Sequence, residues 1–278
     1  MPVGAPRAKV GKPGGRDTIG NGATGELSTP PAANFRRETS MRHAVLILSL
    51  ALAAGPGFAV DPPADEPVHE GKKLSEWVKQ LEDKDATARG DAGRAIGIMG
   101  AKAKAAVPAL IKALKDPEPS VRDWACYGLS NIGPHAKDAV PALEDLLLHD
   151  KTMKVRRIAA NALGSIGPAA KPAVPSLIKT LQDDDPWMRH FGAVTLGALG
   201  ESAKDAVPEL IKAFGDEEYV VQKSAVEAVG QIGPKAKEAV PALLRVWKDP
   251  GEYEKTRKAA AKSVRQIDPE TAKKEGVP

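Results

Sequence analysis

Aromatic residues are scarce in this chain, and cysteine is nearly absent. Four Trp, four Phe and three Tyr make up 4% of 278 residues. So few rings beside so much alanine point to a helical core of small side chains, and away from a β-sandwich. The lone thiol, Cys126, allows neither an internal disulfide nor a thiolate cage for a metal. No apolar run reaches the roughly 20 residues that cross a bilayer comfortably. The glycines end helices at a fixed period and form no phosphate-cradling loop.

Charge of one sign is also lacking once it is counted by region. The chain carries a formal net charge of +4 and a pI near 9.0. Residues 1–40 hold six Lys/Arg and three Asp/Glu, and residues 41–59 add only Arg42. Residues 60–278 hold 33 basic and 33 acidic residues. A neutral body with interspersed signs lacks the clustered field of a nucleic-acid binder.

The leader reads as two parts. Residues 1–40 are rich in Gly, Pro, Ala and Ser/Thr without apolar period, the composition of a disordered segment. From Met41, Arg42 and His43 precede a low-polarity run from Ala44 to Ala54, which Gly55-Pro56-Gly57 breaks. Gly57-Phe58-Ala59 supplies small residues at a cleavage site. Residues 41–59 thus have the layout of a secretory signal peptide, with an uncleaved anchor as the alternative. The expectation is a start at Met41, an over-extended 1–40, a linker over 60–71 and a periplasmic or secreted body from residue 72.

The body is periodic. A-V-P recurs with its proline at Pro108, Pro141, Pro175, Pro208 and Pro241, in steps of 33, 34, 33 and 33. A glycine recurs in phase at Gly100, Gly133, Gly167, Gly200 and Gly233, each followed four residues later by a lysine. Each unit splits into two helices. Helix A opens at the proline, which a first turn tolerates, and shows Leu110, Ile111 and Leu114 on one face. An acidic turn follows. Helix B carries Val121, Ala125, Leu129 and Ile132 and stops at Gly133, where a left-handed cap is expected. The pattern extends back to Leu74, Trp77, Val78 and Leu81 with Ala86–Met99. It extends forward to a basic last helix with Lys255, Arg257, Lys258, Lys262 and Arg265. Terminal repeats depart from the pattern because one face meets water. An all-α solenoid of about six helix pairs is predicted.

The motif AKxAVPALIKALxDxxxxVRxxAxxALGxIG resembles the HEAT-like repeat family, in its short phycobilisome-lyase-type form, over roughly residues 72–268. The opening Gly71 to Trp77 is similar to that of exported bacterial HEAT repeat proteins. The resemblance implies a right-handed α-α superhelix with its B helices on the concave side. It does not imply one function, since lyases, a metal-dependent hydroxylase and adaptors share this repeat. The hydroxylase branch binds iron through His-Glu pairs; of His43, His69, His135, His149 and His190, only His69 precedes a glutamate, Glu70, and it lies in the linker. Converging metal donors are missing. Export separates the chain from the cytoplasmic clients of the lyases.

An Asp and an Arg recur six apart, at Asp83/Arg89, Asp116/Arg122, Asp150/Arg156 and Asp183/Arg189, with Asp216/Gln222 in the fifth repeat. One such pair per repeat is a structural ladder between turns, because catalysis needs no residue in every unit. Cys126 takes the place of Gly93, Ala160, Ala193 and Val226 and reads as core. Counting from the ladder Arg, positions +3, +7 and +10 are core, and +1, +2, +5 and +9 vary. The variable set over repeats two to four contains Asp123, Trp124, Tyr127, Asn131, Arg157, Ile158, Asn161, His190, Phe191 and Val194, with Trp187 just before. Aromatics and Arg are the usual interface anchors, so this stripe is the candidate protein-binding site. The competing reading is that Trp124 and Phe191 pack between neighbouring B helices. The function expected is a non-catalytic, monomeric scaffold with no cofactor, no metal and no nucleic acid. The alternative is a lyase-like accessory unit holding a small molecule and a client.

Overall fold

A computed structural model describes residues 66–278. The expected leader 1–40, the signal segment 41–59 and the start of the linker lie outside the described residues. The linker expected over 60–71 ends in ordered chain. Strands β1 (Val68–His69) and β2 (Lys72–Lys73) pair antiparallel around Glu70-Gly71, both at positive φ. The hairpin is fastened to the first helix. Trp77, buried, donates its indole N–H to the His69 carbonyl at 3.1 Å, and Leu74 N–H reaches the Pro67 carbonyl at 2.8 Å.

Six helix pairs follow. Their A helices are α1 (Leu74–Gln80), α3 (Val107–Ala113), α5 (Val140–His149), α7 (Val174–Thr180), α9 (Val207–Lys212) and α11 (Val240–Lys248). Their B helices are α2 (Ala86–Met99), α4 (Pro119–Ile132), α6 (Met153–Ile166), α8 (Pro186–Ala198), α10 (Tyr219–Ile232) and α12 (Glu254–Ile267). A short α13 (Pro269–Lys274) closes the chain. Successive B helices pack directly on one another, whereas each A helix packs mainly on its own B partner. Leu110, Leu143, Leu177, Leu210 and Leu243 from the A helices meet Ala125, Leu129 and Ile132 and their counterparts from the B helices in one continuous core.

The periodic glycine works differently from the expected left-handed cap. Gly100, Gly133, Gly167 and Gly233 have φ of 58 to 75° but ψ of −134 to −146°. That combination of positive φ and extended ψ is closed to any side chain with a Cβ. The chain then turns through a seven-residue 3-10 segment, such as Gly133–Ala139, before the next A helix. Ala136 and Ala139 are fully buried there while Lys137 points to water. This explains the motif Gly-x-x-Ala-Lys-x-Ala: two alanines fill a tight joint and the lysine keeps its outer side wet.

The Asp/Arg spacing becomes a ladder between repeats. Arg122 grips Asp150 of the next turn in a fork, Nε to Oδ2 at 2.7 Å and Nη2 to Oδ1 at 2.9 Å. Its Nη1 donates to the carbonyls of Asp116 and Pro117 in its own turn. Arg89 and Arg189 repeat this on Asp116 and Asp216. Arg156 follows the longer α5, so its Nε takes the Leu147 carbonyl while Nη2 reaches Asp183 at 2.5 Å. Each ladder aspartate also accepts the N–H two residues on, as Asp150 does from Thr152 at 2.8 Å. Gln222 ends the series, donating only to the Asp216 carbonyl at 2.6 Å.

Burial pushes the carboxyls of Asp116, Asp150 and Asp216 up, but the facing guanidinium and the turn N–H outweigh it, and all three sit below the usual carboxylate range. A carboxylate more acidic in the folded state adds stability above the unfolded pKa of about 3.9, lost as pH falls through the folded value. Thermal melts between pH 7 and pH 2.5 should therefore show acid loss of stability. Asp150→Asn should lose about 2 kcal/mol at pH 7 and show a shallower acid slope; parallel curves would refute the ladder's role. Gly133→Ala should cost about 1–3 kcal/mol in urea unfolding through its backbone alone.

Candidate partner-binding face

The stripe expected on the B helices divides into residues that join repeats and residues that face solvent. The position just after the ladder Arg points at the next repeat. Asp123 on α4 is buried and paired with Lys154 of α6. Arg157 donates Nη2 to Asp185 Oδ2 at 2.6 Å. Burial pushes the Asp185 carboxyl up, but Arg157 and the Trp187 N–H bring it below the ordinary range. His190 meets Ser224 Oγ at 2.7 Å, and that hydroxyl already donates to the Val220 carbonyl, so the ring donates through Nδ1. Burial lowers the His190 pKa and favours the neutral ring. These three residues link neighbouring units.

The rings of the second repeat also serve the joint. A Cβ placed on Gly90 would lie 3.2 Å from Trp124 Cδ1, and one on Gly93 3.1 Å from Trp124 Cβ. A Cβ on Gly97 would sit 2.6 Å from the Tyr127 ring. Trp124 and Tyr127 meet edge to face with centroids 5.4 Å apart, the preferred geometry for two rings. Ile158 and Phe191 are half-buried against the core. Asp123, Trp124 and Tyr127 thus pack against a neighbouring repeat, Asp123 buried and the two rings still partly exposed. The signal was present in the sequence: α2 has glycine at each place where α4 sends a ring. Cys126 is fully buried, and burial pushes its thiol pKa far up, which leaves it unreactive.

Four of the expected residues remain open to solvent. Asn131 and Asn161 are exposed, and Trp187 and Val194 are 49% and 43% exposed. Trp187 leans its ring edge on His190 at 5.6 Å. The stripe missed a longer feature. The position nine residues after the ladder residue is exposed in all six repeats and carries no charge in any: Ile98, Asn131, Ser165, Ala198, Gln231 and Gln266. Ser165 Oγ lies 2.8 Å from Ser130 Oγ of the preceding helix, so the row runs along the closely packed B layer. Among the described residues, no three His, Cys, Asp or Glu side chains converge as a metal site would need. No helix there is long and apolar enough to cross a membrane.

The model of HEAT repeats matches residues 74–164, 140–219 and 207–275. The chain belongs to the HEAT repeat family. Its solved structural neighbours share the fold at low identity. Computationally designed armadillo repeat proteins for modular peptide recognition align at a TM-score of 0.55 and 21% identity, over 70% of this chain and 100% of theirs. Kap121p bound to Pho4p aligns at 0.56 and 18% identity, over 69% of this chain but 23% of that one. The complex of CpcE and CpcF of phycocyanin lyase from Nostoc sp. PCC7120 aligns at 0.46 and 24% identity, over 56% of this chain and 96% of that one. No curated protein matches the sequence.

The glycine–ring fit at the first joint has a direct test. Gly97→Ala should cost about 1–3 kcal/mol by overpacking against Tyr127. In a Tyr127→Ala background the same change should be neutral or stabilising, since alanine is the better helix former. A double-mutant cycle by urea unfolding measures the coupling; additive effects would mean the ring does not press on Gly97.

Proposed function

We propose that this HEAT repeat protein is a non-catalytic scaffold that binds a protein segment along its B-helix layer, outside the cytoplasm. The observation that carries the reading is the uncharged row from Ile98 to Gln266. In a chain with 27% charged residues, six exposed positions in register without one charge mark a surface kept free of ionic hydration. Asn131, Asn161, Gln231 and Gln266 offer amide donors and acceptors, which suit the backbone of an extended chain. Trp187 and Val194 add apolar contact area beside them. The solenoids of designed armadillo proteins, made for peptide recognition, and of Kap121p, seen with Pho4p, support the choice by analogy of fold. The export reading is carried by residues 41–59 alone.

A photo-crosslinking amino acid placed at Asn161 or Val194 should give a discrete adduct with one partner in the exported fraction. The same probe at Lys179, exposed on α7, should give none. Asn131→Arg with Val194→Arg should abolish the adduct without lowering the melting temperature. Equal products from both faces would overturn the assignment. Fusing residues 41–59 to a reporter active only after export tests the location separately.

A further inference from the structure

The B helices deal with their cations in two ways. On α6, Lys154, Arg156 and Arg157 each reach a carboxylate on a neighbouring repeat. Arg89, Arg122 and Arg189 do the same on α2, α4 and α8. Helix α12 departs from this. It carries Lys255, Arg257, Lys258, Lys262 and Arg265 against one carboxylate, Glu254. Lys258 pairs with Glu254 at 2.6 Å, and Arg257 donates Nε to the Trp247 carbonyl at 3.2 Å. Lys255, Lys262 and Arg265 meet no carboxylate among the described residues.

Lys255, Lys258, Lys262 and Arg265 are all exposed. Their spacings of 3, 4 and 3 set them in one line along the helix. At 1.5 Å per residue the line is about 15 Å long. The opposite side of α12 buries Ala260, Ser263, Val264 and Ile267. Such a line disfavours the free protein. Like charges three and four apart repel, and Lys255 and Arg257 lie in the first turn, where the helix dipole is already positive. A terminal helix needs polar cover, but mixed signs supply that without repulsion, as Lys223 and Glu227 do on α10 at 2.7 Å. Capping accounts for polarity and leaves the single sign unexplained.

A cleft opens at the start of this line. The turn from Asp249 to Arg257 is two residues longer than in the earlier repeats, and the ladder has already stopped at Gln222. Tyr219, Tyr253, Glu254 and Lys255 line the resulting space of about 400 Å³. The two tyrosine rings lie 4.6 Å apart, tilted by 57°, and Tyr253 is half-exposed.

We propose that the sixth repeat is a docking site for an acidic segment of a partner protein. Its carboxylates lie along Lys255, Lys258, Lys262 and Arg265, and one aromatic or aliphatic side chain enters the two-tyrosine cleft. The charge complementarity commits the surface to an anion, and the apolar cleft at its end commits it to a side chain. A nucleic acid fits less well, since its binders commonly neutralise about six to ten phosphates and Glu252 and Glu254 border this line. The site is separate from the uncharged row and does not depend on it.

The test uses the full chain and a fluorescein-labelled 12-residue peptide of Glu and Asp with one central Phe. Controls are the same peptide with Gln and Asn for the acids, the acidic peptide with Ala for Phe, a 12-nucleotide single strand, and phosphatidylglycerol vesicles. Fluorescence polarisation should show binding of the acidic Phe peptide at 50 mM salt, at least tenfold tighter than the Gln/Asn control and weaker at 300 mM salt. Lys262→Glu with Arg265→Glu should weaken it at least tenfold with an unchanged melting temperature, and Lys255→Gln with Lys262→Gln should weaken it by a smaller factor. Tyr253→Ala should remove the difference between the Phe and Ala peptides. Equal binding of acidic and neutral peptides, no effect of charge reversal, or tighter binding of the oligonucleotide or vesicles would overturn the proposal.

Discussion

Asp116, Asp150, Asp183 and Asp216 each accept hydrogen bonds from two directions. One comes from the backbone N–H two residues on in its own turn, and the other from the guanidinium of the repeat before it. The first shapes the entry to helix B. The second fixes the distance from one turn to the next. The same guanidinium holds the carbonyls of its own turn, so local turn geometry and inter-repeat spacing cannot vary independently. The B helices from α2 to α10, and with them the exposed row from Ile98 to Gln231, take their register from this link; α12 lies beyond its end at Gln222.

The helix pairs were legible because their period is set by backbone needs that only particular residues meet. Proline opens helix A, a glycine with positive φ closes helix B, and alanine fills the 3-10 joint. A ladder between turns followed from the same period, while the partners within it, Arg89 with Asp116 and Arg122 with Asp150, came from the structure. The hairpin at Val68–Lys73 was not legible, since two-residue strands leave no alternating pattern to read. The candidate site was only partly legible. Variation at a position left exposure and an inter-repeat joint both open, and Trp124 and Tyr127 fill a joint because α2 supplies Gly90, Gly93 and Gly97 opposite them. A large side chain on one helix and a missing one on its neighbour is a relation between columns, and a single column does not display it. Asn131, Asn161, Trp187 and Val194 stayed open because no ring or carboxylate of a neighbouring repeat reaches them.

The neutral balance of residues 60–278 conceals an uneven distribution. Along most of the B layer, cations are taken up by joints, as Lys154 and Arg157 are by Asp123 and Asp185. At α12 no carboxylate among the described residues takes up Lys255, Lys262 or Arg265, and their positive charge faces water. Local field, which governs encounter with a charged partner, is therefore set by position in the stack and not by the overall count.

The ladder also has a direction. Every arginine looks toward the C-terminal neighbour and every accepting aspartate toward the N-terminal one. A head-to-tail contact of this kind between separate chains belongs to the heterologous class, which grows into open filaments when its ends stay complementary. Here they do not. The hairpin holds Glu70 near Arg94 at one end, while Gln222, the long turn and the like-charged α12 mark the other. The same departures from the repeat set the first and last described units apart from the rest of the ladder.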